Sequence, residues 1–349
     1  MREDIVKLLD KLLVTHSPGG LEREMDEAVK EHLAQCADHI HHDPHGNIYV
    51  KFDGKEGGPL TLISAHKDEL SLIVRKIDED GKMWLEPIGG SRPSKYGEGP
   101  FDLITANEVI EGVLCIGSSH SSSLSSRVYK AKTGLLTWDM VYLDCKLNRE
   151  QLRERGAMVG DRAVIGRRRK QPMYLQDEYV CGYALDDKAA VAILLLLACK
   201  LKENPPIHDV CLAITSCEEG GVSGAAYISR RLDPHDFIAV EIIPVAEEYP
   251  IKMNEQPVVL FKDGSYHYSP GLSRELIAAG KRCNIECQSA VIRSFGSDAS
   301  LSSKAGLTGR SACIGFPTEN THGYEVAPLA AMENCVKTLF EHFTHSGRS

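Results

Sequence analysis

Hydrophobic positions at helical spacing open the chain. Apolar residues recur every three or four positions, which predicts a helix over residues 2–14 and a second from Glu22 to Cys36. An alternating strand follows Asn47, and the continuous apolar run Leu60–Ala65 predicts a buried strand. Two helices followed by strands are the start of an α/β fold.

The pattern changes between about residues 73 and 165. Short segments rich in β-branched residues alternate with turn-rich stretches, which predicts a small β-sandwich or β-barrel with one helix, Asn148–Arg155. A serine-rich stretch, residues 118–126, predicts a mobile loop, and we assign no role to His120 within it. The predicted strands include Ser71–Ile77, Val109–Ile116, Val128–Lys132 and Met140–Leu143.

The α/β pattern returns at Tyr179. A long apolar helix is predicted from Asp186 to about Leu201, and a helix over 328–343 closes the chain. Between them the pattern predicts five strands (208–215, 237–243, 258–261, 289–292 and 312–315) separated by shorter helices. We therefore expect an α/β catalytic domain, residues 1–72 and 170–349, interrupted by an inserted β domain, residues 73–169.

Bulk composition narrows the classes of partner. The chain has 349 residues, a formal net charge of −9 and 42% hydrophobic residues, which argues for a globular protein that does not bind nucleic acid. The amino terminus lacks the features of a signal peptide, and the longest apolar run, 189–198, is far shorter than the ~20 residues that cross a bilayer. We expect a cytoplasmic protein without a membrane anchor.

The cysteine pattern favours a reducing compartment. There are eleven cysteines, an odd number, and none form a CxxC pair. Several, including Cys115, Cys199, Cys211 and Cys313, lie in apolar runs and are expected to pack as small hydrophobic side chains.

The candidate chemistry begins at the end of the Leu60–Ala65 strand. His66 and Asp68 follow it, and alternation along an extended chain points both side chains the same way. An imidazole with a nearby carboxylate is a metal ligand with its orienting partner, or else a simple hydrogen-bonded pair.

Later segments supply further ligands. Functional groups of such sheets gather at the carboxyl ends of strands. Glu241 is a lone acid inside an apolar strand, which is costly unless it is paired or ligating. The other candidates also have plain structural explanations: helix capping for Asp186, a solvated turn for the adjacent glutamates and a structural loop for the histidine. These candidates are Asp186, Glu218, Glu219 and His322.

Two imidazoles and several carboxylates without cysteine suit zinc, cobalt or manganese. One carboxylate can bridge two ions, and a carboxylate that binds neither ion can act as general base toward a metal-bridging water. The adjacent pair Glu218–Glu219 allows one residue to ligate while the other handles protons.

This ordered set resembles the cytosolic metallo-aminopeptidases that assemble as tetrahedral (TET) particles, including glutamyl and deblocking aminopeptidases and relatives once labelled endoglucanases. The matching motifs span most of the chain and are weakest in the insertion: Gly19–Glu22, Asp43–Asn47, Ala65–Glu69, Ala184–Lys188, Glu218–Gly220, Ser297–Ala299 and Thr321–His322.

The resemblance implies a mixed-sheet, dinuclear-zinc exopeptidase-like domain that removes N-terminal amino acids from short peptides. It implies that Asp186 bridges two divalent ions, most often zinc. It assigns Glu218 as general base and Asp68 as the residue that orients a ligand. It further implies a homo-oligomer, from a dimer to a tetrahedral dodecamer. The remaining implied ligands are His66 and Glu241 for one ion, and Glu219 and His322 for the other.

The chain also departs from this family. Glu241 stands where Asp is usual, Lys188 where Arg is usual and Lys67 where an apolar residue is common, and the residues before His322 differ. A divergent branch is indicated, so two alternatives stay open. One is a metal-dependent deacylase or amidohydrolase of a small N-acylated metabolite, and the other is a catalytically silent homologue. A glycosidase is disfavoured, because only 6% of residues are aromatic and that chemistry needs no metal ligands.

Overall fold

The computed structural model describes residues 1–345. Its strands are β1 (His41–His42), β2 (Ile48–Phe52), β3 (Thr61–His66), β4 (Ser71–Ile77), β5 (Met83–Ile88), β6 (Gly99–Ile104), β7 (Val109–Cys115), β8 (Tyr142–Asp144), β9 (Arg162–Ile165), β10 (Met173–Leu175), β11 (Tyr179–Gly182), β12 (Val210–Thr215), β13 (Asp236–Pro244), β14 (Val258–Lys262), β15 (Gln288–Val291), β16 (Arg310–Thr318) and β17 (Glu325–Pro328).

The α-helices are α1 (Arg2–Leu12), α2 (Arg23–Cys36), α3 (Pro93–Tyr96), α4 (Arg127–Thr133), α5 (Arg149–Glu154), α6 (Leu185–Glu203), α7 (Ser223–Leu232), α8 (Pro270–Arg282), α9 (Asp298–Lys304) and α10 (Leu329–Thr344). Two 3₁₀ turns cover Trp138–Met140 and Arg167–Arg169. No helix within residues 1–345 combines the length and the apolar character that crossing a bilayer requires.

The main sheet is mixed and has eight strands in the order β1-β2-β12-β3-β13-β16-β14-β15. The central strands β12, β3, β13 and β16 run parallel, and antiparallel pairings flank them on both sides. One core lies between the sheet and helices α1, α2, α6, α8 and α10, and a second lies under α7 and α9. The predicted mixed α/β fold is confirmed.

The predicted insertion is a closed six-stranded barrel with strand order β4-β5-β8-β7-β6-β9 and its own apolar core. The prediction of a strand at Val128–Lys132 is wrong, because this segment is helix α4. The Ser126 hydroxyl caps that helix by accepting from the Tyr129 N–H, and no side chain of α4 is buried, so the segment has no place in the barrel wall. The predicted serine-rich loop has no helix or strand over residues 117–126, and His120 is exposed.

A disulfide between Cys36 and Cys199 joins α2 to α6. The prediction that Cys199 packs as a free hydrophobic thiol is therefore wrong: the apolar run around it correctly indicated burial, but not the cysteine facing it. The other nine cysteines are free thiols.

Two buried lysines brace the chain around the carboxyl end of β3. Lys188 pairs with Glu69 at 3.3 Å and donates to the Thr15 carbonyl at 2.7 Å, while Lys170 binds both Glu69 oxygens at 2.7 and 2.8 Å. Burial opposes ionisation of Glu69, but the two lysines lower its pKa to about 2. Lys188 thus forms a buried charge cluster with Glu69 and Lys170. Lys170 lies in the segment that follows the last strand of the barrel.

Candidate metal centre

The carboxyl ends of three adjacent parallel strands create the site. His66 is the last residue of β3, and it pairs in register with Thr215, the last residue of β12. The chain after β12 carries Glu218 and Glu219, while Glu241 lies within β13 on the other side of β3. The rest of these strands is mostly apolar and almost wholly buried, because helices cover both faces of the sheet.

The other four predicted ligands converge around Asp186. His66 Nε2 lies 3.1 Å from one oxygen of Asp186, and His322 Nε2 lies 3.3 Å from the other. Two sets of donor atoms each lie within 4.8 Å of one another: the set of His66, Asp186 and Glu241, and the set of Asp186, Glu219 and His322. Asp186 belongs to both sets, which is the arrangement that two ions sharing one bridging carboxylate require.

Asp68 is fully buried and forms hydrogen bonds with the backbone of the site. One carboxylate oxygen accepts from the Glu218 N–H at 2.9 Å and the other from the Glu219 N–H at 3.1 Å. His66 Nδ1 lies 3.1 Å from the Asp68 carbonyl and 3.5 Å from its carboxylate. Asp68 therefore holds the loop that carries both glutamates, which the sequence pattern did not indicate, and it lies beside the imidazole whose orientation it is predicted to set.

Left-handed backbone conformations flank the ligands. Ala184, Cys217 and His322 have φ values of 61°, 54° and 59°. Such conformations are unfavourable for residues with a side chain and persist where the surrounding structure imposes them, often at functional sites. Asp186 and Asp187 also depart from helical geometry inside the first turn of α6, so simple helix capping does not account for them.

Glu325 is a site residue that the sequence analysis missed. Its carboxylate accepts from the Asp186 N–H at 3.1 Å and from the His322 N–H at 3.0 Å, so one buried side chain positions two of the clustered residues. Glu325 is an acid in the otherwise apolar strand β17. An acid in an apolar strand is the same signal that identified Glu241, but the sequence analysis did not predict β17.

Asp298 is a second buried acid behind His66. It accepts from Ser64 at 2.8 Å and from Thr215 at 2.6 Å. Asp187 accepts from the His66 N–H at 3.1 Å. Asp298 thus links β3 to β12, and Asp187 holds the end of β3. Both acids lie in the matching motifs Ala184–Lys188 and Ser297–Ala299, but the sequence analysis assigned neither a site role.

The electrostatics of the cluster fit a cation. Burial, followed by the charge of Asp186, raises the pKa of Glu219 to about 8, and burial also raises the pKa of Glu218 and of Glu241. Burial opposes ionisation of Asp186 too, but His322 and His66 lower its pKa. Within residues 1–345, Glu219 Oε1 is buried without a hydrogen-bond partner. Crowded acids, an unpartnered oxygen and two imidazoles are a donor set that divalent metal ions suit.

The profile of the M42 glutamyl aminopeptidases matches residues 46–338 of the chain. The chain belongs to the M42 peptidase family. It is therefore a hydrolase that acts on peptide bonds. It is 26% identical to the lysyl aminopeptidase of Pyrococcus furiosus over 238 residues, which cover 68% of this chain and 66% of that protein.

Solved structures share the fold of this M42 peptidase. The aminopeptidase APDkam598 from the archaeon Desulfurococcus kamchatkensis matches with a TM-score of 0.89 at 23% identity, over 99% of this chain and 96% of that one. The Pyrococcus horikoshii TET1 peptidase matches with a TM-score of 0.86 at 24% identity, over 98% and 99% of the two chains.

A cavity of about 570 Å³ opens onto the cluster of this M42 peptidase. One wall comes from the segment between β5 and β6, where Gly90, Arg92 and Lys95 lie beside His322. Apolar residues also line the cavity, among them Val222, Ile242, Pro244, Phe295 and Leu301. The cavity therefore offers both cationic and apolar contacts next to the clustered acids and imidazoles.

Proposed function

We propose that this protein is a dinuclear metal-dependent aminopeptidase that removes N-terminal amino acids from short peptides. The observation that carries this proposal is the pair of three-residue donor sets that share Asp186. His66 and Glu241 would complete one site, and Glu219 and His322 the other. Zinc suits these ligands, and cobalt or manganese would also fit. When bound, such ions lower the pKa of water and polarise a carbonyl group.

The protein's own groups supply the proton transfers. Glu218 belongs to neither donor set, and its Oε2 lies 3.9 Å from His66 Nε2, at the edge of the cluster. A carboxylate there can take a proton from the attacking water and deliver it to the leaving amine. Asp68 holds the Glu218 N–H, so the base is fixed relative to His66.

Hydrolysis of an aminoacyl-p-nitroanilide panel tests the function. In the metal-loaded protein, Glu218→Gln should lower kcat by about 10²–10⁴-fold, the usual contribution of a general base. The metal content should stay the same. Glu56→Gln is the matched control, because Glu56 is exposed and lies at the opposite edge of the sheet from the site. Full activity in Glu218→Gln would reject its role. No amine release from any aminoacyl substrate, with hydrolysis of N-acylated amino acids instead, would replace the aminopeptidase by a deacylase.

The cationic wall favours acidic over basic N-terminal residues. Arg92 and Lys95 both line the cavity, and within residues 1–345 neither forms an ion pair. An acidic side chain would gain a favourable contact there, while a lysine side chain would be repelled. We expect the double variant Arg92→Ala/Lys95→Ala to lower the ratio of kcat/KM for glutamyl over lysyl p-nitroanilide about tenfold, the equivalent of 1.4 kcal/mol. Lys130→Ala, on exposed α4, should leave the ratio unchanged.

The protein would act as a homo-oligomer. The Pyrococcus horikoshii TET1 peptidase assembles into a tetrahedron or an octahedral shell. On this chain, large apolar side chains of the inserted segment face solvent, among them Leu124, 71% exposed, and Leu135, 80% exposed. Exposed apolar groups of this kind favour subunit contacts. We propose that the insertion, residues 73–169, contributes to them, and that the catalytic domain consists of residues 1–72 and 170–349.

A further inference from the structure

A group of sulfur and nitrogen atoms lies away from the metal centre, between α2 and α6. Cys36 is the last residue of α2, and Cys199 lies in the last turns of α6. Their Cα atoms are 4.4 Å apart although 163 positions separate them along the chain, and a disulfide joins them. His32 stands one turn before Cys36, so its side chain is on the same face of α2. His32 Nε2 lies 3.6 Å from Cys199 Sγ.

The three side chains differ in access to solvent. Cys36 is fully buried, whereas Cys199 and His32 are partly exposed. A groove of about 380 Å³ opens beside Cys36 and is lined by both cationic and acidic side chains, including Lys51, Lys202 and Asp53. The groove borders Cys36 and not Cys199. Cys199 is the more exposed of the two cysteines, so it is the one that a small polar reagent reaches from solvent.

The histidine is suited to accept a proton. Burial, followed by the charge of Lys11, lowers the pKa of His32, so the imidazole is neutral near pH 7. A neutral imidazole 3.6 Å from a thiol can take its proton, and the resulting thiolate is the nucleophile of thiol–disulfide exchange.

We propose that Cys199, Cys36 and His32 form a reversible thiol–disulfide site whose oxidant is a small disulfide such as oxidised glutathione. His32 takes the proton of the Cys199 thiol, and the thiolate attacks one sulfur of the oxidant. The oxidant's S–S bond breaks, and one thiol leaves with the proton from His32. Cys36 Sγ then attacks Cys199 Sγ, the mixed disulfide bond breaks, and the second thiol leaves with the proton that Cys36 gives up. Two protein thiols are oxidised, and one external disulfide is reduced to two thiols.

The disulfide lies far from the candidate metal centre, but it joins two helices whose other ends carry or contact residues of that centre. The first turn of α6 carries Asp186. Glu22, which precedes α2, accepts from the N–H of Cys217, the residue before Glu218. α2 has 14 residues, so the bridge lies about 20 Å from that end. Oxidation therefore joins the distal ends of the two helices whose near ends carry or hold site residues.

Thiol counting tests the proposal on the full-length metal-loaded protein. The protein is equilibrated in glutathione buffers of varied redox ratio, alkylated, denatured and analysed by mass spectrometry. We expect eleven alkylated cysteines under reducing conditions and nine under oxidising conditions, with a Cys36–Cys199 peptide as the only bridged species. The oxidised form should also melt at a higher temperature than the reduced form.

Variants separate the roles. Cys199→Ser should abolish the transition, and Cys283→Ser, a free cysteine of similar exposure, should preserve it. His32→Gln should slow bridge formation at pH 7 about tenfold and leave its final extent unchanged, which a merely structural histidine would not do.

Three outcomes would overturn the proposal. The first is eleven alkylated cysteines at every redox ratio in the wild-type protein, a result that needs no variant to fold. The second is a bridge between a different pair. The third is one additional zinc ion per chain that is lost in Cys199→Ser, without any bridge, which would make the cluster a metal site instead.

Discussion

Single carboxylates at this site hold more than one partner each. Asp68 accepts from the backbone of both adjacent glutamates, and Glu325 accepts from the backbone of Asp186 and His322. A carboxylate has two acceptor oxygens, so each can position two groups at once. The geometry of the five proposed ligands therefore depends on residues that would touch neither ion.

Glu325→Gln tests this dependence. The amide has only one acceptor oxygen and would turn its NH₂ group toward a backbone N–H, which displaces Asp186 or His322. We expect metal affinity or kcat/KM to fall by about 10–100-fold, the usual cost of disturbing residues behind metal ligands. Metal titration and steady-state kinetics measure it, with Glu56→Gln as control. Unchanged affinity and activity together would show that Glu325 has no positioning role.

Metal binding should release protons. Burial opposes the charge of His322, but Asp186 and Glu219 raise its pKa to about 10, and burial and Asp186 raise the pKa of Glu219 to about 8. Both groups are therefore protonated at pH 7 in the metal-free protein and must lose their protons to ligate. Apparent affinity should rise from pH 6 to pH 8. Titration calorimetry in buffers of different ionisation enthalpy counts the protons. Equal affinity across this range would contradict the prediction, and His322→Ala should release fewer protons.

At the scale of secondary-structure elements, the spacing of apolar residues predicted the helices and strands that pack against the main core. Helices α1, α2 and α10 and strands β3, β12 and β13 lie where the apolar pattern placed them, because each buries a full face or stripe against the main core. The segment of α4 was mistaken for a strand, because its β-branched character is weak evidence where nothing is buried. The three-stranded sheet of β10, β11 and β17 went unpredicted, since its strands have only three or four residues and β17 pairs with β11 over a long sequence distance.

Helix α6 is buried almost all round, between the sheet and helices α1, α2 and α10. Leu194 lies at its middle and is fully buried. Leu194→Ala should lower the free energy of unfolding by about 2–5 kcal/mol, because the cavity it leaves cannot fully collapse. Val291→Ala, at an exposed position of the main sheet, should change it by less than about 0.5 kcal/mol. Denaturant unfolding measures both, and equal effects would contradict the packing described for α6.

At the scale of the whole molecule, candidate site residues were predictable while their surroundings were not. The candidate residues border or interrupt apolar runs, so their chemistry stands out in the sequence. They are His66, Asp186, Glu218, Glu219, Glu241 and His322. The distances that pair them depend on strand register and on the left-handed turns at Cys217 and His322, which no local pattern encodes. The roles of these residues and the division into two domains stay predictions until tested.

Assembly can be tested on the insertion. Leu124→Asp/Leu135→Asp places charges on two exposed apolar positions and should reduce the particle mass measured by light scattering, because a buried unpaired charge opposes association. Val291→Asp, a similarly exposed apolar position on β15 of the main sheet, is the matched control and should leave the mass unchanged. A reduced mass in the control alone would move the contact away from the insertion.

The barrel is attached to the molecule at the site itself. β4 begins five residues after His66, and after β9 the chain passes through Lys170 and returns to Asp186. The imidazole and the carboxylate that meet at 3.1 Å are thus the two ends of one long excursion of the backbone. Because both ends are anchored by the sheet and by the Glu69 cluster, the length and shape of the excursion can change without moving its anchor points. The insertion can therefore diverge in the surfaces that it presents away from the site, while its segment beside His322, which carries Gly90, Arg92 and Lys95, stays part of the cavity wall.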